Sequence, residues 1–333
     1  MTIIPKGYES RLSLYDTQRA VERIKYIFLA KLCTALHLVR VTAPLVVDPT
    51  TGMNDNLSGV ERPVSFDVLA TGKNAEVVQS LAKWKRYALR RYDFNMGKGL
   101  VCDMNAIRRD ETLDNLHSIY VDQWDWEKVI CEEDRTLEYL QDVVSRIVTA
   151  ICDTLDELKW HYPQLDVELD RKVTFVSAQE LEDLYPELAP QEREGRFVAD
   201  HHTTFIIGIG GALRSGRPHD SRSPDYDDWD LNGDLLFWDD VLGCALEASS
   251  MGIRVSPASL DQQLTIAGCD DRRKLPFHKM LLEGELPYTI GGGIGQSRLC
   301  MLLLGKAHVG EVQASVWDGE TVRTCQASGV QLL

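Results

Sequence analysis

Two arginine-bearing stretches contain the residue types that proteins use to bind phosphate groups. The stretch GGGIGQSR (291–298) combines glycines, among them Gly293 and Gly295, with Arg298 about one turn into a predicted helix. Glycines let the backbone approach a nucleotide closely, and a helix N-terminus favours negative charge. The second stretch, NAIRRDE (105–111), places Arg108 at a predicted strand end beside a polar loop. Each stretch alone also fits a plainer interpretation: a tight turn for the glycines and a surface charge cluster for the arginine.

A third stretch, SPDYDDWDLNGD (223–234), is rich in carboxylates that suit a hard cation such as Mg²⁺. Its composition alone is equally typical of a solvated loop. The histidines lack zinc-ligand spacing, and the eight cysteines include no C-x-x-C pair. The sequence therefore predicts reduced thiols and no zinc site.

Hydrophobic periodicity predicts the elements that position these residues. A first helix, capped by Asp16 or Thr17, leads into the β-branched stretch 36–47, where Pro44 ends regular structure. The longest predicted helix runs from Asp134 to about His161 on one apolar stripe. Predicted strands cover 64–70, 76–80, 99–111, 117–126, 205–211, 235–238 and 244–256, a polar loop covers 213–234, and residues 288–305 form a strand, a glycine turn and a helix. Several strands are adjacent in sequence, which predicts an α+β fold with a mainly antiparallel sheet flanked by helices.

Composition limits the class of protein further. The chain has 333 residues, of which 44% are hydrophobic, and no composition break divides it, so we expect a single catalytic domain over 1–333. No run of about 18 apolar residues and no secretory signal is visible, which predicts a cytoplasmic protein without a membrane partner. The net charge of −15 argues against nucleic acid as the main partner, although a few arginines in a cleft can still bind a small anion.

Together, the stretches resemble the three motifs of the class II aminoacyl-tRNA synthetase catalytic fold, in their usual order. The first helix with residues 36–47 resembles the first motif, which in that family forms a dimer interface and here implies a homodimer. The stretch around Arg108 is similar to the second motif, which implies that this arginine contacts the α-phosphate of ATP. GGGIGQSR is similar to the third, which implies that Arg298 binds the γ-phosphate. The residue before this arginine is usually acidic in the family and is Ser297 here, so any pairing with an acid at that position is lost.

A narrower resemblance covers essentially the whole chain. Seven strings are similar to ammonia-dependent asparagine synthetases, the aspartate–ammonia ligases: DNLSG (55–59), QSLAKWKR (79–86), YVDQWDWE (120–127), SPDYDDW (223–229), LNGD (231–234), SSMGIR (249–254) and IGGGIGQSRL (290–299). The resemblance implies an ATP-dependent ligase that adenylates aspartate and transfers it to ammonia, with release of AMP and pyrophosphate. The loop between Trp229 and Asp234 is shorter than we expect of some family members.

The resemblance also implies the roles of individual residues. The residues implied to hold aspartate are Ser80, Lys85, Gln123, Asp125, Asp227, Ser250 and Arg254. Asp125 suits the α-ammonium group, Arg254 suits the α-carboxylate, and Gln123 is counted among the catalytic residues. Asp234 and Glu247 are the implied Mg²⁺ ligands, and Asp55 is expected to orient ammonia or to accept a proton from ammonium.

Two other classes of protein share this fold. A tRNA-charging aspartyl synthetase needs a basic anticodon-binding domain, for which the acidic chain leaves no room. A catalytically silent regulatory module is expected to have lost Lys85, Arg108, Glu247 or Arg298, and all four are present. Ammonia rather than glutamine is the expected nitrogen source, because Thr2 and not a nucleophilic cysteine follows Met1.

Overall fold

The computed structural model describes residues 2–55 and 61–333, and it contains a large sheet, a small sheet and flanking helices. The helices are α1 (Leu14–Leu36), α2 (Ala82–Arg91), α3 (Leu137–His161), α4 (Ala178–Leu184), α5 (Pro190–Asp200), α6 (Pro257–Ile266), α7 (Pro276–Leu282), α8 (Gln296–Leu303) and α9 (Gly319–Ala327). The strands are β1 (Leu38–Arg40), β2 (Val46–Val47), β3 (Ser65–Val68), β4 (Lys73–Val77), β5 (Gly99–Ile107), β6 (Tyr120–Val129), β7 (Thr174–Ser177), β8 (Thr203–Ile207), β9 (Asp227–Asp239), β10 (Cys244–Arg254) and β11 (Thr289–Gly295).

The large sheet has the strand order β1-β5-β6-β11-β10-β9-β8-β7. Its outer pairs, β1 with β5 and β7 with β8, are parallel, and the pairs between them are antiparallel. Strands β2, β4 and β3 form the small antiparallel sheet. The predicted fold class, α+β with a mainly antiparallel sheet flanked by helices, is therefore confirmed.

Helices α1 and α3 pack together against one face of the large sheet, where most of the hydrophobic core lies. The predicted apolar stripe of α3 is buried from Leu140 to Leu158. The predicted cap of α1 was wrong, because Ser13, not Asp16 or Thr17, accepts the hydrogen bond from the Asp16 backbone N–H. No helix in the described part of the chain is long and apolar enough to span a membrane.

Side chains along β6 alternate between the core and the opposite face of the sheet. Trp124 and Trp126 are 1% and 0% exposed in the core, where Trp124 packs on Phe28 of α1. Because successive residues of a strand point to opposite faces, Gln123, Asp125 and Glu127 project from the other face. The aromatic residues of this strand therefore anchor it, and its polar residues are left for a site.

Three of the predicted elements differ from the structure. The glycines of 291–293 lie inside β11, paired with β6 and β10 on either side, and do not form the predicted turn. The predicted loop 213–234 is strand from Asp227 onward, so the short segment between Trp229 and Asp234 belongs to β9. The strand predicted over 76–80 lies instead at Lys73–Val77.

Candidate active site

A cavity of about 410 Å³ lies over the face of the large sheet opposite α1 and α3. The predicted site residues that line it are Asp55, Ser80, Lys85, Arg108, Gln123, Asp125, Asp227, Glu247, Ser250, Arg254, Gly293, Gly295 and Arg298. Asp234 does not line the cavity itself and meets its wall through Ser250 and Arg222. Residues scattered from position 55 to 298 are thus brought to one place.

One end of the cavity is built from a buried cation and a buried anion. Helix α2 delivers Lys85, whose Nζ donates to the Gly292 carbonyl at 2.9 Å and lies 3.4 Å from Asp125 Oδ2. The two side chains are 1% and 3% exposed. Burial raises the pKa of Asp125, and the Lys85 charge opposes this shift. The pair presents opposite charges side by side, as a zwitterionic ligand requires.

Arg254, near the end of β10, completes this end of the cavity. Its Nε and Nη2 donate to Glu127 of β6 at 2.8–3.1 Å, and its Nη1 donates to Asp227 at 2.5 Å. Thr289 donates to the same Glu127 carboxylate at 2.7 Å. Burial would raise the pKa of Glu127, but the Arg254 guanidinium outweighs it and lowers the pKa. The guanidinium is therefore fixed in position by two carboxylates.

The glycines of β11 make room for this arrangement. A Cβ atom on Gly291 would collide with the Glu127 carboxylate, and one on Gly293 would collide with the side-chain oxygen of Gln123 and lie 2.6 Å from Asp125 Oδ1. The strand therefore needs glycine because polar side chains of β6 cross over its backbone. The sequence correctly singled out these glycines but assigned them a different structural role.

The other end of the cavity contains Arg108 and Arg298. Arg108 follows β5, and its backbone N–H donates to the Ile119 carbonyl at 2.9 Å across the strand pair. Arg298 lies in the first turn of α8, where its Nη1 donates to the Glu247 carbonyl at 3.0 Å and lies 3.5 Å from the Glu247 carboxylate. Asp122 of β6 accepts the backbone N–H of Ser297 at 3.0 Å. An acid from a neighbouring strand thus lies beside the position where the related family usually has its own acid.

The predicted metal ligands lie together next to this arginine end. The Ser250 hydroxyl is 2.6 Å from Asp234 Oδ1 and 3.0 Å from Glu247 Oε1, so it bridges the two carboxylates. Burial raises the pKa of Asp234 to about 6; the Arg222 charge opposes this shift, and the Glu247 charge adds to it. No cluster of three or more His, Cys, Asp or Glu residues suited to a metal occurs in the described ranges, so a cation here needs further ligands from a bound molecule.

Asp55 and Ser80 line the cavity beside α2. Asp55 is 1% exposed, and its backbone N–H donates to the Asn54 side chain at 3.1 Å. The same Asn54 oxygen accepts the Gln79 N–H at 2.9 Å, which ties the position of Asp55 to that of Ser80. The rest of the string DNLSG, residues 56–59, lies outside the described residues.

Sequence reasoning missed several charged residues at this site, and two of them, Glu127 and Arg222, are paired with predicted site residues. Glu127 ends the string YVDQWDWE and lies two residues beyond Asp125, so strand alternation places both on one face. Arg222 lines the cavity but lies in a polar stretch that also contains Arg214 and Arg217. No local signal distinguishes Arg222 from those two arginines.

The fold is that of the class II aminoacyl-tRNA synthetase catalytic domain. The chain is similar to the Entamoeba histolytica asparaginyl-tRNA synthetase solved in complex with asparaginyl-adenylate, with a TM-score of 0.66 and 14% sequence identity. The similarity covers 90% of this chain and 66% of the synthetase chain, so our chain spans just under two thirds of that protein.

Sequence comparisons then identify the family. Residues 15–329 match the family described as aspartate–ammonia ligase. The chain is 56% identical to the aspartate–ammonia ligase of Lactobacillus johnsonii over 333 residues, covering 99% of each chain. It is also 56% identical to that of Clostridium perfringens over 331 residues, covering 99% of this chain and 98% of the relative. The chain belongs to the aspartate–ammonia ligase family and is an enzyme of the ligase class, which confirms the resemblance seen in the sequence.

Proposed function

We propose that this enzyme converts L-aspartate and ammonia to L-asparagine, using ATP and forming a β-aspartyl-adenylate. The observation that carries the proposal is that one cavity joins a buried, fully paired end suited to an amino acid to an arginine-rich end suited to a triphosphate. The fold supports it, since the similar synthetase was solved with an aminoacyl-adenylate. The names of the relatives, aspartate–ammonia ligases, supply the substrates.

Aspartate fits the buried end in one orientation. Arg254 binds the α-carboxylate and Asp125 binds the α-ammonium group, while Lys85 balances the charge between them. Ser80, Gln123, Asp227 and Ser250 complete the pocket. The β-carboxylate then points toward the arginine end, where ATP binds.

ATP fits the arginine end. Arg108 contacts the α-phosphate and Arg298 the γ-phosphate, where their charges stabilise the negative charge that develops during transfer. Gly295 lines this part of the cavity beside Arg298, whereas Gly293, which the sequence also predicted to bind ATP, lies where the Gln123 and Asp125 side chains cross β11. Arg298 is 23% exposed, which leaves it accessible to a phosphate group.

Mg²⁺ fits between Asp234 and Glu247. Their oxygens are close enough to share one hydroxyl, and magnesium sites commonly combine one or two carboxylates with substrate phosphates. When bound, Mg²⁺ would neutralise charge on the phosphates. Both residues come from adjacent antiparallel strands, β9 and β10, which hold the pair in place.

The reaction proceeds in two steps. An oxygen of the β-carboxylate attacks the α-phosphorus, the bond to the β-phosphate breaks, and pyrophosphate leaves with the electron pair. Ammonia then attacks the acyl carbon, and AMP leaves. Asp55 accepts the proton that ammonium must lose to become a nucleophile.

The proposal is tested by incubating the purified enzyme with Mg·ATP, ammonium and a panel of amino acids. We expect AMP to form with L-aspartate, in a 1:1 ratio to asparagine, and not with D-aspartate or L-glutamate. If ¹⁸O is placed in the β-carboxylate, the label must appear in AMP, because one carboxylate oxygen stays on phosphorus. Unlabelled AMP, or transfer of aspartate to tRNA under the same conditions, would contradict the proposal.

We further propose that the enzyme is a homodimer through its first motif. Helix α1 and the stretch that follows it expose Tyr15, Tyr26, Val39 and Leu45 at 56–77% of their surface. Strand β1 is also an edge of the large sheet in the described chain. Unprotected edges and exposed apolar groups favour association. Sedimentation at micromolar concentration should show a dimer, and an active monomer would contradict this part of the proposal.

A further inference from the structure

Arg222 lies at the junction between the two ends of the cavity. Its Nη2 is 2.5 Å from Asp234 Oδ1, and its Nε is 3.8 Å from Asp227 Oδ2. Asp234 belongs to the proposed cation site, and Asp227 to the proposed aspartate site. The guanidinium group therefore lies where the β-carboxylate of aspartate would meet the α-phosphate of ATP.

The Arg222 side chain is more than nine-tenths buried but not fully paired. It is 8% exposed, and its Nε has no hydrogen-bond acceptor and no contact with solvent. A buried donor without a partner is unfavourable, which indicates that a ligand completes its hydrogen bonding. The carboxylates that face the guanidinium are Asp227, Asp234 and Glu247, and together they keep it charged.

The segment that carries Arg222 is anchored on three sides. Asp225, three residues further along the chain, is 0% exposed and accepts hydrogen bonds from Lys83 of α2 at 3.1 Å and Arg272 at 2.9 Å. His278 of α7 lies 2.9 Å from the same carboxylate. A buried charge with several partners fixes the backbone around it. Arg222 is thus held rigidly over the cavity.

Arg222 and Arg108 approach the cavity from opposite sides. Arg108 follows β5, whereas Arg222 precedes β9, and β6, β11 and β10 lie between those two strands in the sheet. A phosphoryl group under attack carries charge on oxygens that point in several directions, so one arginine cannot reach all of them. We propose that Arg222 binds the oxygens of the β-carboxyl–α-phosphate junction as the acyl-adenylate forms, opposite Arg108; this rests on the proposed function.

The test compares ligand binding by Arg222→Gln with that by the wild-type enzyme. The probe is β-aspartyl sulfamoyl-adenosine, a stable compound in which a sulfamate replaces the acyl phosphate. We expect Arg222→Gln to weaken binding of this probe about 10- to 100-fold, the range for a charge-assisted hydrogen bond. Binding of aspartate alone and of ATP alone should weaken less than binding of the probe, because each of these ligands carries only one of the two groups that meet at the junction. Equal weakening of all three ligands would show that Arg222 only supports the structure, and unchanged probe binding would also overturn the inference.

Two further variants make the result decisive. Arg222→Lys keeps the charge beside Asp234 but loses the forked hydrogen-bond donor of the guanidinium. This variant should fold normally and still bind the probe severalfold more weakly than the wild type does. If Arg222→Gln does not fold, Arg222→Lys alone decides between the outcomes. Arg217→Gln is the matched control, because Arg217 is exposed on the same polar stretch and does not line the cavity. If the wild-type enzyme makes no AMP from aspartate, the proposed function fails; if only the probe comparison fails, the role of Arg222 alone is wrong.

Discussion

The two ends of the cavity contain similar charges but hold them in different ways. At the amino-acid end, the side chains of Lys85, Asp125 and Arg254 are at most 3% exposed, and each is paired with another charged group. At the nucleotide end, Arg298 and Glu247 are 23% and 44% exposed, and the guanidinium approaches the Glu247 carboxylate only to 3.5 Å. The first set lies on central strands and on α2, whereas the second lies at a helix N-terminus and beside an irregularity of β10.

This difference shows how one fold can meet two requirements. Buried, mutually bonded charges keep their geometry before the ligand arrives, so they distinguish a small amino acid by its charge pattern. Half-exposed charges can rearrange around a long triphosphate and its cation, since water still solvates them in the absence of a ligand. We therefore expect changes at the first end to affect folding and binding together, and changes at the second to affect catalysis alone.

Arg254→Gln should have the largest effect, because it leaves the carboxylates of Glu127 and Asp227 buried without their cation. We expect the free energy of unfolding in urea to fall by about 3–5 kcal/mol and aspartate-dependent AMP formation to be lost. Arg11→Gln is the control, since its ion pair with Asp166 is 51% and 65% exposed and contributes little. If the two variants lost the same free energy of unfolding, buried and exposed ion pairs would not differ in their contribution to stability.

Arg108→Ala and Arg298→Ala, made separately, should affect catalysis with little effect on folding. Each removes a charge-assisted contact to a phosphate, so AMP formation should fall by roughly 100-fold or more. Urea denaturation should show a much smaller change than for Arg254→Gln. Arg109→Ala, an exposed neighbour, should behave as the wild type. An arginine whose removal leaves activity within a few-fold of the wild type is not part of the mechanism.

Asp55→Asn should separate the two half-reactions. It keeps the size of the side chain but removes a base, so aspartate-dependent ATP–pyrophosphate exchange should survive while asparagine formation falls by about 100-fold. Both rates can be measured on one preparation. A parallel fall in exchange and synthesis would instead mean that Asp55 binds aspartate or supports the cavity wall.

Gly293→Ala and Gly295→Ala compare the two ends with the same chemical change. A methyl group at Gly293 displaces Gln123 and Asp125, so we expect the KM for aspartate to rise by about tenfold and stability to fall by about 1 kcal/mol or more. At Gly295 the atoms nearest to the methyl group belong to the flexible Arg298 side chain, at 3.3–3.7 Å, and kinetic constants should stay within about threefold. Steady-state kinetics that rank the two variants the other way would place the aspartate pocket elsewhere.

The smallest effect should come from His308, whose own side chain does not line the cavity. Burial lowers the pKa of His308 to about 4, and its Nδ1 accepts the Gly310 N–H at 3.0 Å. As pH falls, the unfolded chain, with a histidine pKa of about 6.5, binds the proton before the folded chain does. The contribution of neutral His308 to the free energy of unfolding is therefore complete above about pH 6.5 and is lost as pH falls toward 4. Between pH 7 and pH 5 the wild type should lose about 1–2 kcal/mol more than His308→Gln, as measured by urea denaturation. Parallel pH profiles would show that His308 does not titrate in this way.

Local patterns predicted much of the fold because they depend on near neighbours. The apolar stripe of α3, the strands β5 and β6, and the positions of Arg108 and Arg298 were all predicted from periodicity and motif spacing. The prediction failed at the glycines of β11, because a glycine run usually forms a turn and only the strands on either side show why it is extended here. It also failed at Asp227, where polar composition hid a strand that is paired with β10.

The sequence by itself determined the family, the class of fold and the set of residues that gather at the cavity. Only the tertiary structure decided which of these charges are paired and which remain accessible. Arg254 is bonded to Glu127, a residue 127 positions away, and Lys83 to Asp225, 142 positions away. Burial and pairing of this kind arise when distant segments fold together, so no local pattern could have separated the buried Arg222 from the exposed Arg214 and Arg217 on the same stretch.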